Sequence, residues 1–493
     1  MRVWRFLLFL SWVLISAIGR PAAAGALEDP AHAGHALAEY VQRPDPAFGW
    51  TLRREESNAF VKVWFLELQS QQWLDETRVD RTLWQHELRI IRPRTLACLR
   101  QQAPHTALLL IAGGKNKDRF SHTMRPEFPL VAATFCRTVV EVRQVPNQPL
   151  RFTGETRGRR EDALLARSFE RFLAGDDADW PVHPAMVKAA VRAMDAAQAF
   201  ARRQRDIPDI DRFVLMGTSK RGWAAWLTAA VDPRVQAVIP VSIDMPDLAR
   251  QLPHHLAAYG DYAPALRDYK ALELRCLLQG PRAGALLDIV DPVRHLDRLN
   301  MPKLVLNSAG DEFFVSDASR FYFAALPGEK RLRYTANTDH GQNGADRTQL
   351  LQQVRNWVDD VVTGRTPPAL AWQEDNGTLL VTPSTPARKV LLWTAHNPAA
   401  RDFRLETQGA IWHSRELHAD ADGRYRAPLA TPDTGWQAAF VEAHFGGWRA
   451  STRQVYTTDV YVRPESMPYP VRDCAPQTQD AFRAPPDRAP DPP

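Results

Sequence analysis

Past its first two dozen residues, the sequence has no apolar run long enough to cross a bilayer, which excludes a membrane-spanning core. Cysteine is scarce. Cys98, Cys136, Cys276 and Cys474 are the four present, and their spacing fits no zinc motif, so neither a metal nor a cofactor is expected. Charge of one sign is also lacking. Lys and Arg number 62 against 57 Asp and Glu, a formal charge of +5 with no long basic run, so nothing marks a nucleic-acid surface. The 25 Gly and 38 Pro are too few and too irregular for a collagen-like chain. With 45% hydrophobic and 24% charged residues, a mostly disordered protein is excluded as well. What remains is a globular chain whose 493 residues suggest two or three domains.

The N-terminus reads as a secretory signal peptide. Arg2 and Arg5 precede an apolar run over residues 6–18, and Ala22, Ala23 and Ala24 offer small residues for cleavage near Ala24. No Cys follows to carry a lipid. Removing residues 1–24 takes away three Arg and no acid, which leaves a formal charge of +2. A periplasmic or secreted protein without stable membrane insertion is expected. That compartment permits disulfides, and four cysteines allow three full pairings. Cys98 with Cys136 is the favoured pair, because both flank strand-like segments.

Residues 25–45 read as an extended lead-in to a first domain spanning 25–365. Strand-like runs at 61–68, 87–91, 107–112, 138–142, 213–216, 235–241 and 303–308 alternate there with helical periodicity, as in Met186, Val187, Ala190, Val191, Met194 and Ala197. That alternation predicts an α/β fold, a mainly parallel sheet with helices on both faces. Residues 369–465 carry short strand-like segments separated by Asp-Asn-Gly and Asp-Gly turns, which predict an antiparallel β-sandwich. A Pro-rich tail at 475–493 is expected to be disordered.

The strongest chemical signal is one turn. Strand 213–216 runs into Gly217-Thr218-Ser219-Lys220-Arg221-Gly222 and then a helix-like segment. A serine on a sharp strand-to-helix turn is lifted clear of the sheet and faces the free N–H groups of the helix start. The usual Gly-x-Ser-x-Gly spacing is altered, since Arg221 stands where the second glycine is normally found and Gly222 follows. A serine that merely caps the helix is the alternative. Downstream, Asp311 lies just past strand 303–308, and His340 follows a strand at 331–336. Ser, Asp, His is the chain order of α/β-hydrolases. Glu312 and Asp339 are neighbouring acids with blander roles, solvation or loop capping.

These residues predict a serine hydrolase without a cofactor: Ser219 as nucleophile, His340 as general base and Asp311 orienting it. The oxyanion donors are expected from the backbone of Lys220 and from Gly114 or Lys115, in the loop after 107–112. The expected partner is a small-molecule, peptide or glycan ester, with oligomeric state left open. Residues 243–288 fall where such enzymes carry a lid. There His254, Tyr259 and Tyr262 are candidate substrate contacts, with Asn147 a fourth, although His254, His255, Tyr259, Tyr262 and Tyr269 could equally pack an insertion core. Arg157, Arg159, Arg160 and Arg167 around Glu161 and Asp162 read as a charged helix start, or else an anion site. Trp180 covers either a cleft or a core.

Three segments carry a family resemblance: Gln144-Val145-Pro146-Asn147-Gln148-Pro149-Leu150, the GTSKRGW of 217–223 and the GDEFF of 310–314. Over roughly residues 35–465 the chain resembles the PhoPQ-activated pathogenicity-related proteins. The resemblance implies a secreted α/β-hydrolase-like domain with a β-rich C-terminal region, and eukaryotic relatives described as secreted repressors of cell proliferation. It implies no defined substrate. The serine turn is also similar to the Gly-x-Ser-Arg-x-Gly turn of glucuronoyl esterases, with Lys220 in place of the Arg. Such a cation can serve an oxyanion or a substrate carboxylate, or Lys220 and Arg221 can pair with acids such as Asp209 or Asp244. Two other functions stay open: a non-catalytic secreted signalling or binding protein on this scaffold, and a carbohydrate-binding module using Trp412, Trp436 and Trp448.

Overall fold

A computed structural model describes residues 35–99, 105–116, 120, 122–446 and 452–474. The signal peptide and the Pro-rich tail read from the sequence lie outside these residues, as does Trp448.

Nine strands form one sheet: β1 Gly49–Ser57, β2 Val61–Gln72, β3 Leu83–Pro93, β4 Thr106–Ile111, β5 Val139–Val142, β6 Arg212–Thr218, β7 Val235–Val241, β8 Lys303–Ser308 and β9 Lys330–Thr335. Their order is β1-β2-β3-β5-β4-β6-β7-β8-β9. The first three strands and the β3–β5 pair are antiparallel, and every pairing from β5 to β9 is parallel. The parallel strands are near-continuous apolar runs because helices cover both faces. On one face the helix Val182–Ala201 buries sixteen of its twenty residues, Met186 and Met194 among them. On the other, the helix Arg347–Val362 buries Val354, Trp357 and Val358. The chain is an α/β protein of the α/β-hydrolase type, with an antiparallel β-rich C-terminal region.

The lead-in differs from expectation. His35–Gln42 is helical, and Leu37, Tyr40 and Val41 are buried at the three- and four-residue spacing that points one helical stripe at the core. β1 was not visible in the sequence pattern. It is a mostly exposed edge strand with polar residues on both faces.

In the C-terminal region, β10 Leu370–Asp375, β11 Thr378–Pro383 and β14 Tyr425–Pro428 make one antiparallel sheet. β13 His413–Glu416, β12 Lys389–Asn397, β15 Trp436–Phe445 and β16 Gln454–Thr457 make a second, with β17 Tyr461–Arg463 also on β15. Leu379 and Val381 of the first sheet share a buried core with Val390, Leu392 and Val441 of the second. Trp412 is buried against Phe403 and Phe440, so it is core rather than an exposed carbohydrate platform. Trp180 is likewise buried, against Phe152. Cys98 pairs with Cys136, and Cys276 with Cys474. Among the described residues no helix is long and apolar enough to cross a membrane.

Candidate active site

β4, β6, β7, β8 and β9 run parallel, so the loops that follow them gather at one edge of the sheet, where open α/β sheets place their sites. Ser219 directly follows β6 and precedes the helix Lys220–Val231. Its φ of 58° and ψ of −131° lie in a region that L-residues rarely occupy, so the turn is strained. Two glycines make the turn possible. A Cβ on Gly217 would collide with the Arg221 carbonyl oxygen, and one on Gly222 would stand 2.8 Å from the Gly217 carbonyl oxygen. The displaced glycine therefore serves the same close approach of strand and helix as the usual one. Ser219 N–H donates to Val241 at 2.8 Å, which fixes the turn to β7. The first N–H groups of the helix, Lys220 among them, have no intrahelical acceptor.

Asp311 and His340 meet across the loops after β8 and β9. His340 Nδ1 lies 2.9 and 3.1 Å from the two Asp311 carboxylate oxygens. Asp311 also accepts the Phe313 N–H at 2.8 Å, and Glu312 accepts the His340 backbone N–H at 2.8 Å. The Phe313 ring lies 4.3 Å from the imidazole centroid. Each residue after Gly310 in the GDEFF segment thus acts on the histidine: one acid on the ring, one on the backbone and two rings against its face. Burial lowers the His340 pKa, but Asp311 and Glu312 outweigh it and hold the value above its ordinary 6.5. Burial raises Glu312. His340 Nε2 is buried and has no hydrogen-bond partner among the described residues. Catalytic hydrogen bonds are often open in structures without substrate. Asp339 caps its own loop through Asn343, at 2.9 Å.

Ser219 opens onto a cavity that Phe313 and Phe314 also line. The lid interval is helical, and the helix Leu248–Tyr259 contributes Leu248, Gln251, Leu252 and His255 to the wall. The four substrate contacts read from the sequence do not stand in this wall. His254 points to the other side of its helix and bonds Asp317 at 2.8 Å. Tyr259 is half-buried, its ring 4.4 Å from the Arg404 guanidinium. The Tyr262 hydroxyl accepts the Arg275 N–H at 3.1 Å, and Asn147 donates to Gln85 at 2.6 Å. His254, Tyr262 and Asn147 thus each bond the scaffold.

The acids facing Lys220 and Arg221 also differ from expectation. Lys220 Nζ lies 3.0 Å from Glu161 and 3.2 Å from Asp162, and Arg221 is bidentate to Glu161 at 2.6 and 2.8 Å. Burial raises Glu161, but Arg221 and Lys220 outweigh it and hold it at about 2. Gln148 donates to Glu161 and accepts its N–H, so the Gln144–Leu150 segment buttresses the nucleophile turn. Asp244 instead accepts from the Tyr322 hydroxyl at 2.7 Å and from Tyr334, and burial pushes its pKa to about 7. Of Asp209, the backbone carbonyl accepts from His105.

In the loop after β4, Gly114 has a φ of 148° and Lys115 is exposed. A Cβ on Gly113 would stand 2.6 Å from the Arg221 guanidinium, so this loop lies against the nucleophile helix. Among the described residues no group of three or more His, Cys, Asp or Glu side chains is arranged to hold a metal ion.

Comparison with known proteins gives a family and several similar structures. The model of the PhoPQ-activated pathogenicity-related proteins matches residues 37–404. Autocrine proliferation repressor protein A of Dictyostelium discoideum is 30% identical over 460 residues, covering 88% of this chain and 91% of that protein. Among solved structures, acetyl xylan esterase 1 of Thermoanaerobacterium gives a TM-score of 0.45 at 17% identity, over 68% of this chain and 94% of that one. A glucuronoyl esterase of Solibacter usitatus gives 0.36 at 13%, over 67% and 92%.

Proposed function

The chain belongs to the PhoPQ-activated pathogenicity-related proteins, and on that premise we propose that it is an exported serine hydrolase cleaving an ester or amide through Ser219, His340 and Asp311. The observation that carries this reading is the conjunction of a strained serine at the strand–helix turn with an Asp–His pair whose outer nitrogen is free and buried.

His340 Nε2 takes the Ser219 hydroxyl proton as the oxygen attacks the scissile carbonyl. Asp311 keeps the ring proton on Nδ1 and stabilises the imidazolium that forms. The tetrahedral oxyanion accepts from the Lys220 N–H and from an N–H of the Gly114–Lys115 stretch. The imidazolium then gives its proton to the leaving alcohol or amine, and the acyl-enzyme forms. Water, deprotonated by the same nitrogen, releases the acid and restores Ser219. Export is supported by the arginine-flanked apolar N-terminus and by the two disulfides.

A second reading is a secreted signalling protein that keeps the scaffold without the chemistry, and the name of the Dictyostelium relative favours it. One experiment separates the two. The purified protein is treated with a fluorophosphonate, and adducts are read by intact mass. A single adduct on wild type, absent in Ser219→Ala and slowed in His340→Ala, is the expected result. A folded wild type that takes no label would leave the signalling reading standing.

A further inference from the structure

The cavity beside Ser219 is apolar over most of its wall, with Phe169, Trp223, Leu252, Leu266, Leu274 and Phe314 among the residues that form it. Besides Ser219, its polar side chains are Asp162, Lys220 and Tyr269, which pair with one another, and two from the helix Leu248–Tyr259. Gln251 and His255 stand four residues apart and so share one helix face. They are 8% and 4% exposed.

Their hydrogen bonds fix which atoms are left over. Gln251 Nε2 donates to Pro246 O at 3.1 Å and Ala318 O at 3.0 Å. Both amide hydrogens are thereby used, and Oε1 has no partner among the described residues. His255 Nε2 accepts the Ala263 N–H at 2.9 Å, so it carries no proton. Burial, aided by Arg404 and His254, pushes the His255 pKa to about 3, so the ring is neutral and its proton sits on Nδ1. Nδ1–H has no hydrogen-bond partner among the described residues. The wall thus carries one spare donor and one spare acceptor.

We propose that the substrate group entering this cavity is an apolar chain or ring bearing one hydroxyl, which accepts from His255 Nδ1–H and donates to Gln251 Oε1. The proposal rests on the hydrolase reading and names its substrate class. A hydroxyl is the single-atom group that answers both requirements. An acetyl group is too short to use the apolar wall. A sugar acid would press several further hydroxyls against side chains that cannot bond them. It would also find Lys220 already held between Glu161 and Asp162.

The test uses the full-length exported protein and two matched ester series, one varying the acyl group and one varying the alcohol. Each includes a two-carbon group, an unbranched six-carbon group and a hydroxylated six-carbon group. A methyl glucuronate ester and a peptide anilide complete the panel. In one series kcat/KM is expected to rise about tenfold or more from two carbons to six, and again by about tenfold with the hydroxyl. In His255→Phe and Gln251→Met the hydroxyl preference should fall to within about twofold, by the same logic. Wild type that takes the fluorophosphonate but shows neither preference, or that favours the glucuronate ester or the anilide, overturns the proposal and leaves the hydrolase reading intact. Wild type that takes no label overturns both.

Discussion

At the scale of single residues, the charge around His340 has a kinetic consequence. As the proposed base, His340 must be neutral to accept the Ser219 proton, and Asp311 with Glu312 holds its pKa above 6.5 despite burial. The acid limb of a kcat/KM–pH profile should therefore lie above 6.5, with activity falling as pH drops through it. Asp311→Asn should lower kcat by about 10⁴, since the amide favours the wrong tautomer. It should also shift the limb downward, because the charge that raised the histidine is gone. An unchanged limb in that variant would mean that Asp311 is not its cause. The strand-to-helix turn of Ser219 and the pairing of Asp311 with His340 were legible in the sequence because each residue follows a strand. The cavity wall was less so. His254 and His255 differ by about 100° around their helix, and both faces of that helix are buried, so no apolar stripe marked which histidine faces inward.

At the scale of elements, the nucleophile turn depends on two backbones that touch where a side chain would stand. Gly222→Ala sets a Cβ 2.8 Å from the Gly217 carbonyl oxygen and 2.9 Å from Ile243 Cγ2, so strand and helix must part. About 1–3 kcal/mol of stability should be lost, read by chemical denaturation, and labelling of Ser219 should slow in the fraction that folds. Equal labelling rates would show that the helix start tolerates the shift. The buried parallel strands β4, β6, β7 and β8 were readable as continuous apolar runs. β1 was not, because an edge strand with polar residues on both faces has no period-two pattern to detect. The His35–Gln42 helix escaped for another reason: eight residues carry barely two turns of periodicity.

At the scale of the whole molecule, the β-rich region braces the helix over the cavity. Arg401 reaches Asp317, at 2.6 Å, with both side chains fully buried, and Asp317 also holds His254 of the helix over the cavity. Burial raises the Asp317 pKa, but Arg401 and His254 outweigh it and keep it below its ordinary 3.8. A carboxyl so depressed lends stability that is complete above 3.8 and is lost only as pH falls below it. Arg401→Ala leaves a buried charge unpaired and should cost about 3–5 kcal/mol, measured by urea unfolding at neutral pH. A loss below about 1 kcal/mol would show that water reaches Asp317 in the variant.

The Cys276–Cys474 bond carries the same dependence into biogenesis. It joins the helical interval over the cavity to a residue 198 positions downstream, beyond every strand of the second region. Arg275 and Arg472 are bonded alongside it, and Tyr469 N–H donates to Ala257 of the helix that carries Gln251 and His255. During synthesis, the roof of the cavity can be locked only after the whole β-rich region has been made and has met an oxidising environment. A reduced chain lacks that fastening, so the hold of the second region on the helices over the cavity depends on the redox state of its surroundings.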